Sequence, residues 1–265
     1  MNSLFRYSQD RLPVLAVLGL TALDFGLYFT VERWWVLSLY WVLSLLPKGV
    51  ISAWNHHHQH SFTFHSPLLN RGLEVCYALH TGMTTHLWLL HHVLGHHLNY
   101  LNQAKDESGW QRKDGTTMGE IEYSFRISVT AYYRAFLVGR RYPRHQRTFL
   151  SFAALSFMLA GALVWFRPMQ GLMLFVLPMC STMFFTSWVT YDHHAGLDSK
   201  IPFEASYNTM NRWFNMLTGN LGYHTAHHYK QGLHWSQLPT LHETIKDKIP
   251  AHLYHRSTFD VLFPS

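Results

Sequence analysis

Four stretches of this chain, residues 12–30, 34–54, 148–166 and 170–190, stay apolar for the length of a bilayer's hydrocarbon core. A helix from Trp34 to Trp54 rises roughly 30 Å, which matches that core. In hydrocarbon every backbone amide must find its partner within the segment, so such stretches can only be helices. The fold class predicted is therefore an all-α integral membrane protein, with four transmembrane helices and a helical cap outside the bilayer. Short turns close the two hairpins, at Val31-Glu32-Arg33 and around Arg167-Pro168-Met169. Trp34, Trp35 and Trp165 stand beside these turns, at headgroup level where interfacial aromatics belong.

Composition agrees. Charged residues are 14% of the 265, against about 25% in a soluble domain, while 48% are hydrophobic and 16% aromatic. The formal charge of +6 has no basic run interleaved with stacking aromatics, which argues against a nucleic-acid partner. Of 21 basic residues, the two turns hold only Arg33 and Arg167. The positive-inside rule then puts both termini and the 55–147 segment in the cytoplasm. No cleavable signal peptide precedes residue 12, so the first span is expected to act as the signal. Cys76 and Cys180, far apart in apolar stretches, suggest neither a disulfide nor a thiolate metal site.

Residues 72–95 mix Leu73, Val75 and Leu79 with His80, Thr81, Thr84, Thr85 and His86. The segment reads as an interfacial or re-entrant helix covered by protein. A fifth span would separate the histidine clusters across the membrane. Residues 119–141 read either as a basic amphipathic helix at the cytoplasmic surface or as an ordinary solvated helix. No repeat or linker divides the chain, so residues 1–265 are expected to form a single domain.

The chemistry lies in four histidine clusters: His56-His57-His58-Gln59-His60, His91-His92-Val93-Leu94-Gly95-His96-His97, Asp192-His193-His194 and His224-Thr225-Ala226-His227-His228. On an α-helix, residues three and four apart share a face. His56 can thus meet His60, His92 can meet His96, and His224 shares a face with His227 and His228. From the span lengths, His56 and His194 emerge about one turn beyond the membrane, on one side. Nine histidines at such spacing exceed the four ligands of a tetrahedral zinc, and two ions sharing them is the economical reading. Imidazole alone does not select among iron, zinc, copper and nickel. An unfunctionalised hydrocarbon substrate would need oxygen chemistry, which redox-inert zinc does not provide. The isolated His65, His80, His86, His145, His234, His242, His252 and His255 read as structural or surface residues, while His57 and His58 read either as ligands or as neighbours that hydrogen-bond around them.

These motifs resemble the membrane fatty acid desaturase and hydroxylase superfamily, whose pattern is HxxxH, then HxxHH or HxxxHH, then HxxHH. The matches are His56…His60, His92…His96-His97 and His224…His227-His228. The stretches WLLHHVLGHHLNY, HHAGLD and NLGYHTAHHYKQGLHWSQLP look like those of bacterial acyl desaturases. The resemblance implies iron ligation by His56, His60, His92, His96, His97, His224, His227 and His228, with His194 as the extra ligand. It also implies two iron ions, molecular oxygen as co-substrate, and a narrow tunnel for a fatty acyl chain that loses two hydrogens. That chain would be linked to lipid, coenzyme A or a carrier protein. No fused cytochrome motif is visible, so an external electron donor such as ferredoxin or cytochrome b5 is expected, in a bacterial inner membrane. His91 rivals His92 for one position, Thr190 stands where some relatives have Asn, and Asp192 is the carboxylate nearest a cluster. Tunnel-lining candidates include Trp54, Trp88, Phe184 and Trp188.

Two other readings fit parts of the pattern. Hydroxylation or oxidative decarboxylation would use the same ligands, with a different placement of the substrate radical. A histidine-rich metal transporter would place polar ligands near the bilayer midplane. There the sequence offers Asp24, read as lacking a basic partner at its depth.

Overall fold

The computed structural model describes residues 4–255, so the chain ends, expected on one side of the membrane, lie outside the described residues. Two helical hairpins form its frame: α1 (Arg11–Thr30) with α2 (Trp34–His60), and α5 (Pro143–Phe166) with α6 (Pro168–His194). All four helices are long and apolar enough to cross a membrane. Leu12, Leu43, Phe157 and Trp165 project outward, exposed as lipid-facing side chains must be. The two turns are tied together. Arg167 donates to the carbonyls of Tyr28 and Phe29, each at 2.7 Å, and Gln170 donates to Val31 O at 3.0 Å.

Two of these helices overrun the expected spans. α2 continues from residue 54 to His60, and α6 from residue 190 to His194. Each overrun carries a histidine cluster out of the apolar slab on a rigid helix. Rigid delivery of this kind lets ligands from distant parts of the chain meet.

Between the hairpins, α3 (Pro67–Thr81) begins at Ser66, which accepts the Leu69 N–H, and at Pro67, whose fixed φ suits the first turn. It ends at Gly82, in the left-handed region at φ 69°. An added Cβ there would come within 2.7 Å of Met179 O, so a side chain is barred by backbone as well as by conformation. α3 packs against α1, α2, α5 and α6. It is a covered helix, not a fifth span. A π-helical stretch, Leu89–His97, follows, and then α4 (Glu120–Gly139), which packs on α6 and on that stretch. Among the described residues there are isolated β-bridges and no sheet.

One expectation fails inside the bundle: Asp24 does have a basic partner. Lys48 donates to Asp24 Oδ2 at 2.8 Å, and both side chains are fully enclosed. Helical side chains lean toward the N-terminus, so the long Lys48 stem reaches back along α2 to the depth of Asp24 on α1. His80 Nδ1 stands 3.2 Å from the same carboxylate, and Tyr40 donates to Asp24 Oδ1 at 2.5 Å. Lys48 therefore belongs to the interior and contributes nothing to the charge asymmetry of the loops.

Candidate metal centre

The α2 overrun presents His56 and His60 on one face, their Nε2 atoms 3.1 Å apart. The next pair departs from α-helical spacing. Leu89–His97 is π-helical, and its wider turn brings residues five apart onto one face. His92 consequently pairs with His97, Nε2 to Nε2 at 3.0 Å, and not with His96 as α-helical spacing predicts. His56 Nε2 lies 2.8 Å from His92 Nε2, and His227 Nε2 lies 3.1 Å from His97 Nε2. His56, His60, His92, His97 and His227 thus converge as one group.

His96, turned the other way, joins His194 and His228 in a second group. His224 completes it, with its Nε2 3.0 Å from His194 Nε2 and 3.2 Å from His228 Nε2. The expectation that His224, His227 and His228 serve one face is corrected accordingly. The α-helix His224–Tyr229 divides its histidines, sending His227 to the first group and the four-residue pair to the second. All nine histidines singled out from the sequence are brought together.

The spacing suits metal ions. Two imidazole nitrogens at about 2.1 Å from a shared ion and at right angles stand about 3.0 Å apart. The observed separations run from 2.8 to 3.2 Å. His96 Nδ1 is taken up by Asp106 Oδ1 at 2.8 Å, which leaves its Nε2 buried and without a hydrogen-bond partner. His194 Nδ1 similarly meets Ala205 O at 2.8 Å. Outer partners of this kind fix the tautomer and aim the other nitrogen at the metal. Burial, reinforced by neighbouring rings, holds His92, His97, His224, His227 and His228 well below the usual 6.5. The rings are neutral, as ligands must be.

Asp106 was not foreseen. The carboxylate singled out from the sequence, Asp192, makes no hydrogen bond or ion pair to a ligand histidine among the described residues. Adjacency to a cluster in sequence is not adjacency of side chains, because neighbours on a helix point about 100° apart. Asp106 reaches His96 because the 102–109 loop lies directly on the π-helical stretch. A Cβ at Gly95 would come within 2.6 Å of Glu107 Cγ. Ser108 N–H donates to Asp106 Oδ1 at 2.7 Å and holds it in place. The only signal in the sequence was that glycine within a run of histidines.

The other histidines are structural or lie aside. His57 Nε2 meets Thr218 O at 2.9 Å, and His58 Nδ1 meets Thr63 Oγ1 at 2.9 Å. His234 Nε2 stands 3.1 Å from Asp10, and His80 Nε2 2.8 Å from Thr21 Oγ1. His91, the rival of His92, belongs to neither group. It lines a cleft with Met83, Leu87, Trp88, Ile127 and Met183, its Nε2 buried without a partner. Burial pushes it down to about 3. Thr190 borders the same cleft. The Trp88 ring lies 5.4 Å from that of His56 and 4.9 Å from that of His92, so the cleft abuts the five-histidine group. Of the four aromatic candidates for a tunnel wall, Trp88 lines this cleft, whereas Trp54 packs against His57 and Trp235.

Comparison with known proteins gives the chain's relatives. Over 257 aligned residues the chain is 24% identical to a Nicotiana tabacum protein named omega-3 fatty acid desaturase, endoplasmic reticulum. The alignment covers 82% of this chain and 65% of that relative's length. Residues 32–259, including every histidine of both groups, match the family described as fatty acid desaturase. On that match, the chain belongs to the fatty acid desaturase family.

Proposed function

We propose that this protein is an oxygen-dependent di-iron desaturase that introduces a double bond into a fatty acyl chain. The observation that carries the reading is the convergence of nine buried histidines into two groups beside an apolar cleft. His56, His60, His92, His97 and His227 would hold one iron, and His96, His194, His224 and His228 the other. Iron would supply the dioxygen chemistry that removing hydrogen from an unactivated methylene requires. The protein's part is positional. Asp106 and Ala205 O orient two ligand rings, while Met83, Leu87, Ile127 and Met183 keep water away from an acyl chain in the cleft. Trp88 stands between cleft and ligands, where it would set which carbon faces the metal.

In this reading one domain carries the whole reaction on the cytoplasmic side of the membrane. Electrons come from a separate carrier such as a ferredoxin or cytochrome b5. Mass spectrometry of acyl products from cells expressing the protein, beside a matched His227→Ala control, tests it. Species lacking two hydrogens, present only with the intact protein, are expected. Products gaining one oxygen would move the assignment to hydroxylation.

A further inference from the structure

The sequence singles out 119–141 as a basic amphipathic helix, and the metal centre uses only one of its faces. Tyr123, Ile127, Ala131, Ala135 and Val138 of α4 are buried. On the opposite side Ile121, Phe125, Val129 and Tyr133 are between 60% and 68% exposed. They follow one another at four-residue steps and so form a continuous apolar stripe. Four large apolar side chains in line are costly to leave in water.

The stripe runs toward a corner of unusual charge. Arg140, Arg141, Arg144 and Arg147 occupy eight residues at the junction of α4 and α5, and all are exposed. None has an ion-pair partner among the described residues. The acid nearest in effect, Glu107, is already engaged by Arg134 at 3.5 Å. The first turn of α5 carries no acid of its own. Covalent connection fixes the corner's level, because α5 is a span and Arg144 and Arg147 stand at its entry. The Tyr132 ring packs on Phe149 and Phe157 of that span, so α4 lies along the bilayer's flank.

We propose that the α4–α5 corner is a docking surface for anionic phospholipid. The stripe enters the acyl boundary, and the four guanidinium groups bind headgroup phosphates. Arginine pairs with phosphate through two parallel hydrogen bonds, and clusters of four or more basic residues beside a span attract anionic lipid. An acidic soluble protein fits less well, since it would have to approach arginines flanked by lipid-facing side chains. The surface bears on the reaction site because the buried face of α4 packs on α6 and on the π-helical stretch that carries His92, His96 and His97.

Native mass spectrometry of the full-length, metal-loaded protein in detergent, offered equimolar phosphatidylglycerol and phosphatidylcholine, tests this without reference to turnover. The intact protein should retain phosphatidylglycerol preferentially, and less so as salt rises. Replacing the four arginines with Gln should weaken that retention by about several hundred-fold, at about fivefold per arginine. Replacing them with Lys should preserve most of it. A charge-matched control, Lys105→Gln/Lys113→Gln/Lys200→Gln/Arg212→Gln, should leave it unchanged. An equal loss in that control would overturn the proposal, as would equal retention of the two lipids. Equal lipid retention together with loss of turnover driven by a soluble electron donor in the Gln variant would assign the corner to an acidic redox protein instead. Should the Gln variant fail to fold, the salt titration of the intact protein decides, and salt-independent retention counts against the proposal.

Discussion

Lys48 Nζ on the second membrane helix donates to Asp24 Oδ2 on the first at 2.8 Å, and solvent reaches neither side chain. The same ammonium donates to Leu174 O at 3.0 Å, in the π-helical stretch Leu172–Val176 of α6. One lysine therefore joins both hairpins, and Asp24 in turn receives Tyr40 and faces His80 of α3. Isolated, either charge would be intolerable at this depth. Together, with Leu174 O taking a second ammonium proton and Tyr40 donating to the carboxylate, they hold the two hairpins in one register.

Lys48→Met should consequently destabilise the protein by about 3–5 kcal/mol, because it leaves Asp24 charged or forces it to take a proton. The double replacement Asp24→Leu/Lys48→Met should cost less than the single one. Thermal unfolding of the purified protein in detergent checks both. Equal melting of Lys48→Met and the intact protein would mean that the pair contributes nothing.

Asp106→Asn keeps the shape of the side chain but removes the charge that orients His96. Metal affinity at the His96, His194, His224 and His228 group should fall by about 10- to 100-fold. The five-histidine group, which Asp106 does not touch, should bind as before. Metal analysis during dialysis against a graded chelator should then show one ion lost early and one retained.

His91 and His92 are adjacent but face different surroundings, and their replacements should behave differently. His92→Ala removes a ligand whose nitrogen lies 2.8 Å from that of His56 and 3.0 Å from that of His97. It should lose metal and activity together. His91→Ala should retain both ions and alter only turnover or the position of attack, since the residue lines the cleft. Iron content and product analysis on the two proteins, side by side, distinguish the roles.

Stability should depend on pH with a definite sign. The ligand rings of His92, His97, His224, His227 and His228 are held well below 6.5 in the folded chain, while the unfolded chain titrates near 6.5. Below that value the unfolded state takes up protons that the folded state refuses, so stability is lost as pH falls. Above it, stability should level off as far as these groups are concerned. Melting temperatures of the metal-free protein from about pH 7.5 down to about pH 5 should drop progressively. The loaded protein should fall more steeply at the acid end, because protons also displace metal. A flat profile would mean that the rings take up protons as readily in the folded chain as in the unfolded one.

Much of this was legible in the residues. Four apolar stretches of bilayer length dictate helices because hydrocarbon offers the backbone no other partner. They also dictate that His56 and His194 emerge at one level. Residues His56 and His60, four apart on a continuous α-helix, met as their spacing requires. These are consequences of local geometry, which a sequence carries in full.

The division of nine ligands into five and four was decided elsewhere. It depends on a π-helical stretch that replaces a four-residue relation with a five-residue one, pairing His92 with His97 and releasing His96. That stretch is packed against α4, and hydrophobic periodicity does not distinguish it from an α-helix. Asp106 reaches His96 through a loop resting on Gly95, and Lys48 reaches Asp24 across a hairpin. In each case the partner is chosen by how separate segments stack. Local sequence determined that this chain would line a membrane with helices and gather histidines at one face. Only tertiary packing decided which ring faces which ion, because those distances are set between segments and not along them.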